Sequence, residues 1–266
     1  MVMKRLATVC TLAAVLVVAG CGDTSADAAG EVPTVRVAAA SDLQFALEDI
    51  REAMAEADPP VEVVPVYGSS GTFFQQIVNG APFDVYLSAD LSYPAGLVDE
   101  GLADEADLFP YAVGRLVLWA LEDSPLDLSR GVEVLTDPRA RRIAIANPEH
   151  APYGVAAVEA LETAGIYDVI EPKLVTGENV AQAGEFAMSG NADVAVIALA
   201  LALHDSMQER GRYEEIPLES FSRLDQGGVV LPGATDRQAA HQVREFIQGP
   251  AGEAILRRYG FFLPDE

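Results

Sequence analysis

Four short turns carry the residues best suited to chemistry. They are Ala40-Ser41-Asp42, Ser69-Ser70-Gly71-Thr72, Pro152-Tyr153-Gly154 and Gly177-Glu178-Asn179-Val180. Each sits where a short apolar run gives way to a helical pattern. A helix start presents unpaired backbone N–H groups and a partial positive charge, so each turn is suited to an anion. Ser41 and Ser70 add one hydroxyl donor each, and the glycines let backbone come close to a ligand. The windows 38–44, 68–74, 147–155 and 177–182 contain no Lys and no Arg. An anion held there is held by neutral dipoles, which select by size and protonation state more than by charge. Taken singly, each turn also reads as an ordinary N-cap, because Ser, Asp and Asn begin helices for structural reasons alone. The carboxylate of Asp42 repels an anion, so it is expected to point away and cap the helix.

Other candidates are weaker. His150, His204 and His241 include no pair at metal-ligand spacing. Ser70 as a nucleophile needs a base and an orienting acid, and no His lies beside it in sequence; a serine hydrolase stays as an alternative reading. The acidic cluster from Asp99 to Asp107 reads as a solvated face. The apolar run from Ala195 to Leu203 is too short for a membrane span and reads as core.

The N-terminus reads as a leader. Lys4 and Arg5 precede an uncharged apolar run, Leu6 to Ala19, that ends in Val18-Ala19-Gly20-Cys21. Small residues before a Cys resemble the lipobox of bacterial lipoproteins. Residues 1–20 are thus expected to be a signal peptide, Cys21 a lipidated first residue, and 21–33 a flexible tether rich in Ala, Asp, Ser and Gly. No Cys follows Cys21, which excludes a disulfide framework, a thiolate metal site and a cysteine nucleophile from the body. The net charge is −24, and loss of Lys4 and Arg5 with the leader takes it to −26. Nucleic acid is excluded as a partner, since binding it needs basic patches.

The elements that must position the turns follow an α/β pattern. Val35 to Ala40 reads as a strand, followed by helical spacing at Leu43, Ala46, Leu47, Ile50 and Met54. Strands are expected at 61–66, 85–87, 115–120, 142–146, 173–175 and 194–197, with helices at 72–78, 93–99, 155–164 and 180–188. Residues 212–231 read as further strands with a Gly-rich joint at Gly227-Gly228. Helices at 237–247 and 252–259 close the chain. Two βαβ sets of similar size suggest two lobes with a cleft between them: 34–113 plus 232–266, and 114–231.

The same blocks carry a family resemblance. Val37-Ala38-Ala39-Ala40-Ser41 before a helix resembles the opening of bacterial molybdate-binding proteins. So do Tyr67-Gly68-Ser69-Ser70-Gly71-Thr72 with Gln75-Gln76-Ile77, and the block from Gly80 to Asp90. Asn147 to Gly154, Pro172 to Val175 with Glu178-Asn179-Val180, and the ending from Phe246 to Phe261 follow in the same order. The resemblance implies a type II periplasmic-binding-protein fold with an oxyanion between two α/β lobes. It implies ligand contacts from Ser41 and Ser70 through hydroxyl and N–H, and from Tyr153 and Val180 through backbone N–H, with no residue ligating the metal directly. It implies molybdate or tungstate as ligand, no catalytic residue and no cofactor. It further implies a monomer outside the cytoplasm, held by its lipid and docking on the membrane permease of an ABC importer. Sulfate or another tetrahedral oxyanion is the alternative ligand. Many family members place a tyrosine hydroxyl where this chain has Ala198, and Tyr153, at a position that is often Ala, is a candidate replacement donor or a cleft wall.

Overall fold

Two five-stranded sheets position the turns. The computed structural model describes residues 32–266. The expected leader, Cys21 and the expected tether up to residue 31 lie outside the described residues. At the tether's end, Val32 is exposed, but the carbonyl of Pro33 already accepts the N–H of Glu62 at 2.9 Å. Among the described residues no helix is long and apolar enough to cross a membrane.

The first sheet begins with β1 (Thr34–Ala40), flanked in parallel by β2 (Glu62–Gly68) and β3 (Val85–Ser88). Apolar and β-branched residues dominate β1, and from Val37 to Ala40 it is buried on both faces, as a parallel strand covered by helices requires. Helix α1 (Gln44–Ala55) turns Ala46, Leu47, Ile50 and Met54 inward at the expected spacing. Helices α2 (Ser70–Val78) and α3 (Ser92–Asp99) follow their strands. β4 (Leu108–Gly114) forms the far edge of this sheet. The sequence reading missed it, because Pro110 interrupts its strand pattern; an edge position tolerates the lost N–H.

The chain then enters the second sheet at β5 (Leu116–Leu121). β6 (Ile143–Ala146) lies between its parallel neighbours β7 (Leu174–Gly177) and β8 (Val194–Ala198), while β5 runs antiparallel to β8 and to the edge strand β9 (Gly211–Glu215). Its helices are α4 (Pro152–Thr163), α5 (Tyr167–Ile170), α6 (Val180–Met188), α7 (Leu199–Ala202) and α8 (Asp205–Gln208).

The return crossing corrects the expected boundary. Residues 114–231 were expected to share one lobe, but β10 (Leu224–Val230) pairs antiparallel with β3 and β4 in the first sheet. The chain therefore recrosses between Ile216 and Arg223. Gly227-Gly228 is no joint. A Cβ on Gly228 would lie 2.7 Å from both Leu87 and Phe109, so the pair admits close packing inside the strand. Helices α9 (Arg237–Gln248) and α10 (Pro250–Arg258) then pack Ala239, Ala240, Val243, Ile247 and Leu256 into the core of β1 and α1.

The acidic face is also only partly as expected. Asp107 is buried and accepts from Arg237 at 2.6 Å, with His241 Nε2 at 3.5 Å. It ties α9 to the start of β4 instead of facing solvent.

Candidate functional site

Parallel pairing sets the turns side by side at the carboxyl ends of their strands, where open α/β sheets bind ligands. In the first sheet Ala40 is in register with Gly68, so the Ser41 and Ser69-Ser70 turns are neighbours. In the second, Ala146 is in register with Gly177, and the N–H of Asn147 donates to Gly177 at 2.8 Å. The Pro152 and Asn179 turns are thus neighbours too.

Four contacts then join the two lobes across the cleft. The N–H of Ala181, second in α6, donates to Ser41 Oγ at 3.3 Å. The N–H of Gly71, second in α2, donates to the carbonyl of His150 at 2.9 Å, while Ser69 Oγ and His150 Nδ1 lie 2.8 Å apart. Deeper in, Gln226 Nε2 on β10 donates to Asp42 Oδ2 at 2.6 Å and to the Tyr153 hydroxyl at 3.2 Å. Ser41, Ser70, Tyr153 and Val180 are all brought together, each no more than 3% exposed. The lobes are closed on one another here.

Three helices, α2, α4 and α6, begin at these turns. In α2, Ser69 caps Thr72 N and the N–H of Gly71 is bonded across the cleft. In α6, Asn179 caps Gln182 N, Gln182 Oε1 returns to the N–H of Glu178, and Ala181 N is held by Ser41. In α4, Pro152 has no N–H to satisfy and suits the first helical position, while Gly154 N bonds Ala151. The N–H groups that head these turns without an acceptor among the described residues are those of Ser70, Tyr153 and Val180. Buried N–H groups are almost always paired, so these three stand out as candidate donors.

The serine hydroxyls are equally oriented. Ser70 Oγ accepts the N–H of Ala89 at 3.0 Å, as Ser41 Oγ accepts that of Ala181. With an acceptor role filled, each hydroxyl proton is free to be donated. Two O–H and three N–H donors, with no Lys or Arg in their turns, thus lie among the buried residues where the lobes meet.

The Tyr153 hydroxyl lies against Gly114, where a Cβ would come within 2.4 Å of it, and it is engaged with Gln226. Asp42 does not point away: its carboxyl is turned inward, 1% exposed, to Gln226 and the Tyr153 phenol, with the N–H groups of Asp42 and Leu43 beside it. Loss of water pushes its pKa up to about 6, against hydrogen bonds from Gln226 and Tyr153 that favour the charged form. Burial, with the Asp42 charge second, holds the Tyr153 phenol protonated. Gln226, within the 212–231 stretch expected to form strands, carries no local signal of its role, because its partner Asp42 stands 184 residues away in the chain. Ala198, wholly buried, ends β8 and contributes no polar group.

A family model described as "Bacterial extracellular solute-binding protein" matches residues 35–262. The chain belongs to this family of solute-binding proteins. A molybdate-binding protein, ModA, of Rhodobacter capsulatus is 40% identical over 199 residues, spanning 75% of this chain and 77% of that one. The ModA of Azotobacter vinelandii is 34% identical over 235 residues, spanning 88% and 92%. The solved periplasmic molybdate-binding protein of Azotobacter vinelandii superposes with a TM-score of 0.80 at 32% identity, covering 86% of this chain and 99% of that one. The two-lobed α/β architecture and the non-enzymatic, solute-binding role of this protein follow.

Proposed function

We propose that this protein captures a tetrahedral oxyanion, molybdate with tungstate closely alike, outside the cytoplasm and delivers it to the permease of an ABC importer. The observation that carries the reading is the convergence of the Ser41 and Ser70 hydroxyls with the Ser70, Tyr153 and Val180 N–H groups in a buried space without a cation. Such donors match a fully ionised anion that accepts many hydrogen bonds and need no counter-charge. The relatives named as molybdate-binding support the same ligand. In this reading the lobes open and close about the crossings at Gly114-Arg115 and 216–223, and the closed form docks as a monomer on the permease. A lipid on Cys21 holds it at the membrane.

Isothermal titration with sodium molybdate, sodium tungstate and sodium sulfate tests the ligand. Molybdate and tungstate are expected to bind alike and far more tightly than sulfate, whose shorter S–O bonds leave some of the donors out of reach. Heat from sulfate alone overturns the molybdate assignment; silence with all three overturns the oxyanion reading. Membrane fractionation of wild type against Cys21→Ser tests the anchor, and equal release of both into the soluble fraction refutes it.

A further inference from the structure

The buried carboxyl beside Ser41 is unusual for a site that holds an anion. Asp42 is 1% exposed, and Asp42 Oδ1 and Gln226 Oε1 are both buried with no hydrogen-bond partner among the described residues. Two acceptors without a donor in one small cluster are costly, and a carboxylate can only accept. One added proton turns Asp42 into a donor. The groups that face it are the Gln226 amide from β10, the phenols of Tyr153 from α4 and Tyr111 from β4, and the backbone N–H groups of Asp42 and Leu43. None of these carries positive charge, and burial keeps both phenols neutral. Asp42 is bracketed by Ser41 and Tyr153, so an anion held by those two residues is its electrostatic neighbour.

We propose that Asp42 is a specificity-determining residue that takes up one proton as the oxyanion enters, so that a proton, in place of a lysine or arginine, offsets the ligand's charge. This rests on the oxyanion reading above. Burial has already raised the carboxyl to a pKa of about 6, and a dianion beside it raises it further. Linkage then sets the sign. Above about pH 6 the free protein carries Asp42 charged and must bind a proton with the anion, so affinity falls by up to about tenfold per pH unit. Below that pH the free protein is already protonated and the dependence levels off. The consequence is selection against neutral and cationic solutes, which gain nothing from the proton, and tighter capture in acidic surroundings.

The test is calorimetry of the full mature protein with sodium molybdate at pH 7.5, in buffers of different ionisation enthalpy, repeated from pH 5.5 to 8.5. The wild type is expected to take up close to one proton per anion and to lose affinity as pH rises. Asp42→Asn keeps the size, removes the charge and adds an N–H donor; it is expected to take up none and to bind with a flat pH profile. A wild type that binds molybdate with no buffer dependence, or an Asn variant with the same pH slope as wild type, overturns the proposal while leaving the oxyanion reading intact. Absence of heat with molybdate and sulfate at every pH sinks that reading and this one together. If the variant does not fold, the wild-type proton count decides by itself.

Discussion

In the proposed site, Ser41 and Ser70 of the first lobe offer side-chain hydroxyls, whereas Tyr153 and Val180 of the second offer backbone N–H alone. The first lobe also owns the buried Asp42–Gln226 pair. The two halves of one pocket are thus built from different material. The first half adds side-chain hydroxyls to the Ser70 N–H and is open to substitution there. The second is written in helix geometry and is indifferent to most side-chain changes. Such a split has a physical use: the first lobe can tune selectivity by residue, while the second supplies an invariant dipolar wall that closes over the ligand.

The largest effect is expected from removing the hydroxyls. A hydrogen bond to a charged group is worth about 1.5–3 kcal/mol, roughly 10- to 150-fold in affinity. Ser41→Ala and Ser70→Ala should each cost about that in molybdate titrations, and the pair should cost more than either. Each also strips an acceptor from an N–H, of half-buried Ala181 across the cleft and of buried Ala89 within the lobe. Ser70→Ala should therefore also lower the melting temperature of the unliganded protein. Unchanged affinity in both single variants would remove the first lobe from the site.

Gly71→Ala should come next, by wedging the halves apart. An added Cβ would lie 2.8 Å from the His150 carbonyl and 2.9 Å from the Tyr93 hydroxyl. The clash with His150 exists only when the lobes meet, so closure suffers more than folding. We expect binding weakened at least about tenfold, with a much smaller change in unliganded stability, given that overpacking costs about 1–3 kcal/mol. An equal loss of stability with and without ligand would mean that the substitution acts on the first lobe alone.

The second half is tested by Val180→Pro. Proline at a first helical position keeps the helix and deletes one N–H, and extended Asn179 before it suits the change. Affinity should drop about tenfold, whereas Val180→Ala, which keeps the N–H, should bind within a few-fold of wild type. If both variants bind alike, the Val180 N–H is not a ligand contact.

The two halves were not equally legible in the sequence. Residue spacing located nearly all strands of both sheets, because buried parallel strands read as apolar runs, and it placed α6 at its observed residues, 180–188. The turns were legible for the same reason: each follows such a run. What failed depended on distant contacts. β10 falls in the other lobe from the one its place in the chain suggests, and the Gly227-Gly228 pair is explained only by the bulk of Leu91 against the first glycine and of Leu87 and Phe109 against the second. Asp42 was read as a local cap, yet its partner comes from a strand at the other end of the chain. Pairing between side chains so far apart leaves no local pattern to read.

The smallest effect is expected at the rim, where the halves meet through one side chain and one backbone bond. His150→Ala removes the Nδ1 contact to Ser69 Oγ but keeps the carbonyl that Gly71 N reaches. Ser69 also retains its cap on Thr72. One neutral hydrogen bond is worth about 1 kcal/mol, or about fivefold. Because this bond exists only between closed lobes, its loss should appear in the dissociation rate of molybdate in stopped-flow displacement, with the association rate little changed. A loss as large as that of Gly71→Ala would place the closing force in the His150 side chain. A fivefold loss would leave it with the backbone, as the second lobe's construction implies.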